Sequence, residues 1–259
     1  MSADVPTILA TSGGIGPGRR THGEFTGLTE YAIELAGVSG RAPRICFLAT
    51  ATGDNPAVLT WLYEAAMLRG LHASHLTSVG MPNVEDPAAH LLEQDVVWVI
   101  GGSVAGLLAL WQLHGYDRAL RSAWQSGVVL TGVSAGSICW HTGGTTDSFG
   151  PQLQPITDGL GFLPFSNGVH YDSEQQRRPL FQSLVQSRVL ASGFATDDGA
   201  GLLYAAPSWS RSSPRRTTRP ATASSPERRR WWKPVLTPAG SERLSPARRP
   251  RPTRSAQLG

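Results

Sequence analysis

Two residues in this chain could do hydrolytic chemistry together: Ser134, in the stretch VVLTGVSAGSICW, and His170, in SNGVHYDSE. Ser134 occupies a G-x-S-x-G pattern directly after an apolar run, where small neighbours let the chain turn sharply and expose the hydroxyl. The same turn offers the N–H of Ala135 to an oxyanion. A serine hydroxyl is a weak nucleophile without a base. His170 lies 36 residues downstream in a polar loop. The other histidines are worse placed: His141 is too near the turn to reach back, His72 and His75 flank an apolar strand, and His22, His90 and His114 fall in loop or helix contexts. Such a base needs an acid to hold its tautomer. Asp147, Asp172, Glu174, Asp197 and Asp198 are eligible by residue type, and spacing does not choose among them. Asp197 and Asp198 stand on a turn at a predicted strand end, from which an acid could project toward a histidine loop.

A nucleophile on such a turn needs a rigid strand before it and a helix after it. TILAT, PRICFLAT (43–50), LHASHLTSV, DVVWVIGGS (95–103) and VVLTG (128–132) read as strands. Between them, VLTWLYEAAMLRG, PAAHLLEQ and VAGLLALWQLHGYDRALRSAWQSG have helical spacing, and residues 52–56 offer a turn and a helix cap. Strands with little polar alternation, separated by helices, predict a mostly parallel sheet covered on both faces. Chemistry on such a sheet belongs at the carboxyl ends of its strands. Three glycine-bearing turns, at 13–18, 101–106 and 132–136, each follow a strand end. If the second lies beside the serine turn, the N–H of Gly102 is a second oxyanion donor. A nucleotide role is disfavoured, since IGGSVAG lacks the G-x-G-x-x-G spacing and GGIGPG lacks the lysine of a phosphate loop. Beyond Trp140 the pattern changes. It holds a surface helix in QQRRPLFQSLVQS, interrupted near Pro179, and then VLASGFATDDGAGLLYAA, a strand, acidic turn and strand at a sheet edge or in a hairpin.

Length and composition limit the alternatives. The 259 residues suffice for an α/β core, 40% are hydrophobic, and no apolar run is long enough to span a bilayer. The amino end lacks a basic segment followed by an apolar one, so the expected location is cytoplasmic. Cys46 and Cys139 sit in or beside apolar segments without metal spacing and read as buried free thiols; neither metal nor cofactor is expected. The net charge of +4 divides unevenly, because residues 206–259 hold 13 Lys and Arg against two acids, +11, leaving −7 for residues 1–205. The expected division is therefore a catalytic domain at 1–205 and a basic, Pro/Ser/Arg-rich tail at 206–259. That tail has no period of 2 or 3.6 and reads as disordered, or as a change of translation frame near codon 206 of a GC-rich gene. It could attract anions, but no zinc spacing, aromatic interleaving or recognition helix points to a specific nucleic acid.

The segments DVVWVIGGSVAGLLALWQLHG, TGVSAGSICW, NGVHYDSE and FATDDGAGLLY, in this order, resemble the peptidase E-like serine peptidases, the aspartyl dipeptidase family related to cyanophycinase. The likeness covers roughly residues 8–205. It implies an α/β sandwich like the class I glutamine amidotransferase domains, with Ser134 as nucleophile, His170 as base, and Gly102 and Ala135 lining the oxyanion hole. The family's acid falls on Asp197, with Asp147 as the alternative. The family's glycine-rich turn commonly begins with three glycines, whereas this chain has Ile100-Gly101-Gly102-Ser103. The resemblance implies hydrolysis of small peptides, with removal of N-terminal aspartate as the narrower form. Aspartate selectivity would need a cation for the side chain, Arg177 or Arg178, and an acceptor for the amino group, Glu174. The expected partner is a small peptide, with a homodimer as an eligible assembly and no membrane. The rivals are an esterase or amidase acting on small metabolites, and a catalytically inactive binding protein using its basic tail.

Overall fold

The structure, a computed structural model, describes residue 3, residues 5–205 and a short strand at 233–235. From the amino end the elements are β1 (Thr7–Thr11), β2 (Ile15–Gly16), β3 (Glu24–Phe25), α1 (Gly27–Leu35), β4 (Arg44–Leu48), a 3₁₀ turn (Thr50–Thr52), α2 (Pro56–Leu68), β5 (His72–Leu76), α3 (Pro87–Leu92), β6 (Val96–Val99), α4 (Val104–His114), α5 (Tyr116–Gln125) and β7 (Val129–Val133). They continue with α6 (Ala135–Ile138), β8 (Gly143–Thr146), β9 (Gln154–Ile156), β10 (Ser166–Gly168), α7 (Arg177–Gln186), β11 (Gly193–Ala195), β12 (Gly201–Ala205) and β13 (Lys233–Val235). The main sheet has the order β12-β1-β7-β6-β4-β5, parallel throughout except for β12, which runs antiparallel to β1.

Strand alternation explains how both faces of this sheet are covered. In β4, Ile45 and Phe47 join one apolar cluster while Cys46 and Leu48 join another; in β6, Val96 and Trp98 divide from Val97 and Val99 in the same way. The period of two thus sends each strand's side chains into two cores, which is why these strands read as continuous apolar runs. On one face Ala32 of α1 and Leu62, Ala65 and Ala66 of α2 complete the packing. On the other face Leu107 and Trp111 of α4 and Leu120 of α5 do so. Asn55 accepts from the N–H of Ala57 and Pro56 opens α2, so the cap read at residues 52–56 is present.

Several elements depart from the sequence reading. The run from Val104 to Gln125 forms two helices rather than one, because Gly115 closes α4 and opens α5. Pro179 does not interrupt α7: it is the third residue of the helix, where the missing N–H has no intrahelical acceptor to lose. The region after Trp140 builds a second sheet, β13-β11-β10-β8-β9, with β8, β10 and β11 parallel. Consequently β11 and β12 are not a hairpin; the acidic turn between them carries the chain from the second sheet to the edge of the first. Three tail residues form β13, antiparallel to β11. The expected disorder or frame change of the tail lies outside the described residues. Cys46 and Cys139 are both buried free thiols, and burial pushes the Cys46 thiol up to about 12.

Packing under the serine turn is tight. A Cβ added at Gly136 would fall 2.8 Å from the carbonyl carbon of Val99 and nearer still to its oxygen. Because both neighbours are backbone, neither can rotate away. Gly136→Ala is expected to cost about 2–4 kcal/mol, read as a lower midpoint in chemical denaturation.

Candidate active site

The three glycine-bearing turns come together because β1, β7 and β6 are adjacent and parallel. Ser134 follows β7 with φ 56° and ψ −113°, a conformation rare for a residue with a side chain, and its carbonyl accepts from the N–H groups of Ser137 and Ile138. Such a strained residue costs about 1–3 kcal/mol. Burial of Val129 and Leu130 in the strand just before it, roughly 1.5–3 kcal/mol each, is enough to hold the turn. Ala135 begins α6, so its N–H lies outside the helical hydrogen-bond ladder. Gly101 borders the serine: a Cβ there would fall 3.0 Å from the Ser134 Cβ. Gly102, at φ 132°, follows it, and the N–H of Ser103 is tied to Ala51.

The histidine and its acid are hung from the same strand end. The N–H of Ser134 donates to Thr11 O at 3.1 Å, and the N–H of His170 donates to Ser12 Oγ at 3.2 Å. The turn after β11 is held there too, through Ser12 N–H to Ala200 O at 2.9 Å and Gly199 N–H to Ser12 O at 2.8 Å. Ser12 Oγ also bonds the Thr196 hydroxyl at 2.6 Å. Two neighbouring residues at the end of β1 therefore position serine loop, histidine loop and acidic turn. Sequence reasoning passed over Ser12; its signal was a small hydroxyl residue between a strand and a glycine pair.

His170, at φ 50°, has Nδ1 2.5 Å from Asp198 Oδ1. The acid hydrogen-bonded to the histidine is thus Asp198, the neighbour of the expected Asp197. The backbone N–H of Asp198 is fixed by Asp172 Oδ1 at 2.9 Å, whereas the charge of Asp197 acts on Tyr171. Asp147 is exposed on the turn after β8. Partial burial pushes the Asp198 carboxyl up, but hydrogen bonds from His170 and Ser173 and the charge of His170 outweigh it and hold it below the ordinary value.

The proposed substrate-binding residues do not form a free cationic pocket. Arg177 is buried; its Nε donates to Glu174 Oε2 at 2.7 Å and its Nη1 to the carbonyl of Thr145. Arg177 and Glu174, expected at opposite ends of a substrate, are thus paired with each other. Arg178 lies over the Tyr171 ring at 4.7 Å.

His141 is spent structurally, its Nδ1 donating to Ser137 O at 2.9 Å and its Nε2 lying 3.2 Å from the Tyr204 hydroxyl. Burial pushes it down from the ordinary 6.5 to about 4. The unfolded chain therefore takes up a proton at this residue before the native state does. Stability is fully present above about pH 6.5 and falls as pH drops toward 4, by about 3 kcal/mol at this residue. Denaturation midpoints compared at pH 7.5 and 4.5 should show the loss, and His141→Gln should reduce it. Among the described residues no cluster of three or more His, Cys, Asp or Glu could hold a metal, and no helix is long and apolar enough to cross a membrane.

A serine on a strained strand-to-helix turn is joined through one strand end to a His–Asp pair at the carboxyl edge of a helix-flanked α/β sheet, which defines the fold class as α/β with its candidate site at the strand ends. The model of peptidase family S51 matches residues 8–208, and the chain belongs to that family, which makes it a hydrolase of the small-peptide kind. It is 45% identical over 197 residues to the uncharacterized peptidase YgaJ of Bacillus subtilis, covering 76% of this chain and 82% of that protein. It is 29% identical over 147 residues to the peptidase E of Streptomyces coelicolor, covering 56% of this chain and 58% of that one. The fold is shared with a candidate peptidase E protein from Listeria monocytogenes, at TM-score 0.55 and 15% identity over 78% of this chain and 95% of that one. A peptidase from an acI-B1 actinobacterium gives TM-score 0.56 and 17% identity over 79% and 85% of the two chains.

Proposed function

We propose that the chain hydrolyses small peptides with Ser134 as nucleophile, His170 as general base and Asp198 as the acid that orients it. The observation that carries this reading is the attachment of all three loops to Thr11 and Ser12, with Nδ1 of His170 engaged by Asp198. With its Nδ1 proton donated to the carboxylate, the imidazole keeps Nε2 as the acceptor for the serine proton. Ser134 Oγ attacks the scissile carbonyl, and the N–H groups of Ala135 and Gly102 hold the oxyanion. His170 then protonates the leaving amine, and water, activated by the same base, releases the acyl group. The Asp198 carboxylate stabilises the imidazolium between these steps without itself taking the proton. In the same reading the architecture is a class I glutamine amidotransferase-like sandwich, which supplies the strand-end site and leaves the chemistry to the loops.

The test is release of free amino acids by the purified full chain from a dipeptide panel that includes Asp-X, Glu-X and Ala-X, run beside small esters and amides. Serine-dependent release from dipeptides supports the reading. Cleavage of esters alone, or none by a folded chain, overturns it.

A further inference from the structure

A cleft of about 390 Å³ has walls that include Ile15, Pro17, His22, Val58, Trp61 and Ile100. We infer that it receives a large apolar side chain of the peptide, so that the chain prefers an aliphatic or aromatic residue beside the scissile bond to aspartate. The inference rests on the serine-peptidase reading and adds the substrate class to it.

Three observations connect the cleft to the reacting end of the sheet. Ile100 directly precedes Gly101, the residue that borders Ser134. Ile15 stands three residues after Ser12, whose hydroxyl accepts from the N–H of His170. Val133, just before Ser134, packs on the same apolar cluster as Ile15, Val58 and Ile100. One wall thus runs into the turn that borders the nucleophile and the other into the strand end that holds the histidine loop, and a volume of this size is ample for one side chain of a small peptide.

The lining selects by chemistry. Trp61 is 43% exposed, a large aromatic surface that a bound apolar group would take out of water. His22 is stacked on Trp61 at 5° between planes, and both its backbone N–H and its Nδ1 meet the carboxylate of Glu64. A carboxylate therefore stands behind His22, a lining residue, where it disfavours an anionic side chain. Arg19 and Arg20 are exposed on the loop between Pro17 and His22 and are not part of the lining. The other notable notch, bounded by Arg41 and Arg44, lies at the amino ends of β4 and β5, the far end of the strands from Ser134.

The experiment measures calorimetric binding of Phe-Ala, Leu-Ala and Asp-Ala to the full-length Ser134→Ala variant, so it needs no turnover. Phe-Ala and Leu-Ala should bind at least about tenfold more tightly than Asp-Ala, the scale of burying one such side chain. Trp61→Ala should narrow that gap. Val58→Phe, which fills the cleft, should weaken Phe-Ala more than Asp-Ala and guards against a folding defect in the first variant. Equal or tighter binding of Asp-Ala, no measurable binding of the apolar dipeptides, or a gap unchanged in both cleft variants overturns the inference; the first result would assign recognition to Arg19 and Arg20. Hydrolysis by the unsubstituted chain reports separately on the serine reading.

Discussion

Replacing Ser134 with alanine is expected to lower dipeptide hydrolysis by about 10⁴-fold or more, to the level that binding and oxyanion donors alone support. The substitution removes one oxygen from a half-buried residue and leaves the turn in place, since Gly132 and Gly136 still allow the close approach to Val99. An unchanged thermal midpoint would show that the loss is chemical. Retained hydrolysis in a folded Ser134→Ala chain would remove the nucleophile from the mechanism, however well the family and the fold agree with it.

Asp198→Asn is expected to lower kcat by about 10²–10⁴-fold with little change in KM, because the amide keeps the shape but no longer selects the required tautomer or stabilises the imidazolium. Asp197→Asn should have a much smaller effect, since the charge of Asp197 acts on Tyr171 and Nδ1 of His170 belongs to Asp198. The pair of variants separates the structural assignment from the residue chosen by resemblance. Equal losses in both would show that the whole turn, rather than one carboxylate, matters. Because its interactions with His170 and Ser173 hold the Asp198 carboxyl below the ordinary value, this acid stays ionised throughout the near-neutral range. Its contribution to stability is present above the carboxyl's unfolded pKa and is lost as pH falls through the lower native value.

The mutual pairing of Arg177 and Glu174 bears on selectivity. A buried guanidinium that already satisfies a carboxylate and a carbonyl would have to give up both to bind a substrate anion, at the cost of leaving a buried charge unpaired. Opening that pair therefore works against an aspartate-specific site built on Arg177. The apolar cleft beside Ile100 offers binding energy without such a loss.

Much of this protein was legible in the sequence because the signals were local. Apolar runs broken by glycine marked β1, β4, β6 and β7, and the G-x-S-x-G pattern marked the serine turn. The histidine was legible from its polar loop and from the order of four motifs. Tertiary structure decided the rest. Asp197 and Asp198 differ by one position on a turn, and only the docking of that turn on Ser12 determines which carboxylate meets His170. Glu174 and Arg177 lie three residues apart at the start of a helix, a spacing compatible with two free ligands or one ion pair, and burial beside Thr145 selected the pair. The two strands flanking the acidic turn read as neighbours, yet they belong to different sheets, because β1 offered an open edge to β12. Local pattern specifies which residues can turn, cap or be buried. Which side chains meet across the fold depends on long-range strand order, and that order here brings one strand end, Thr11 and Ser12, under all three loops of the site.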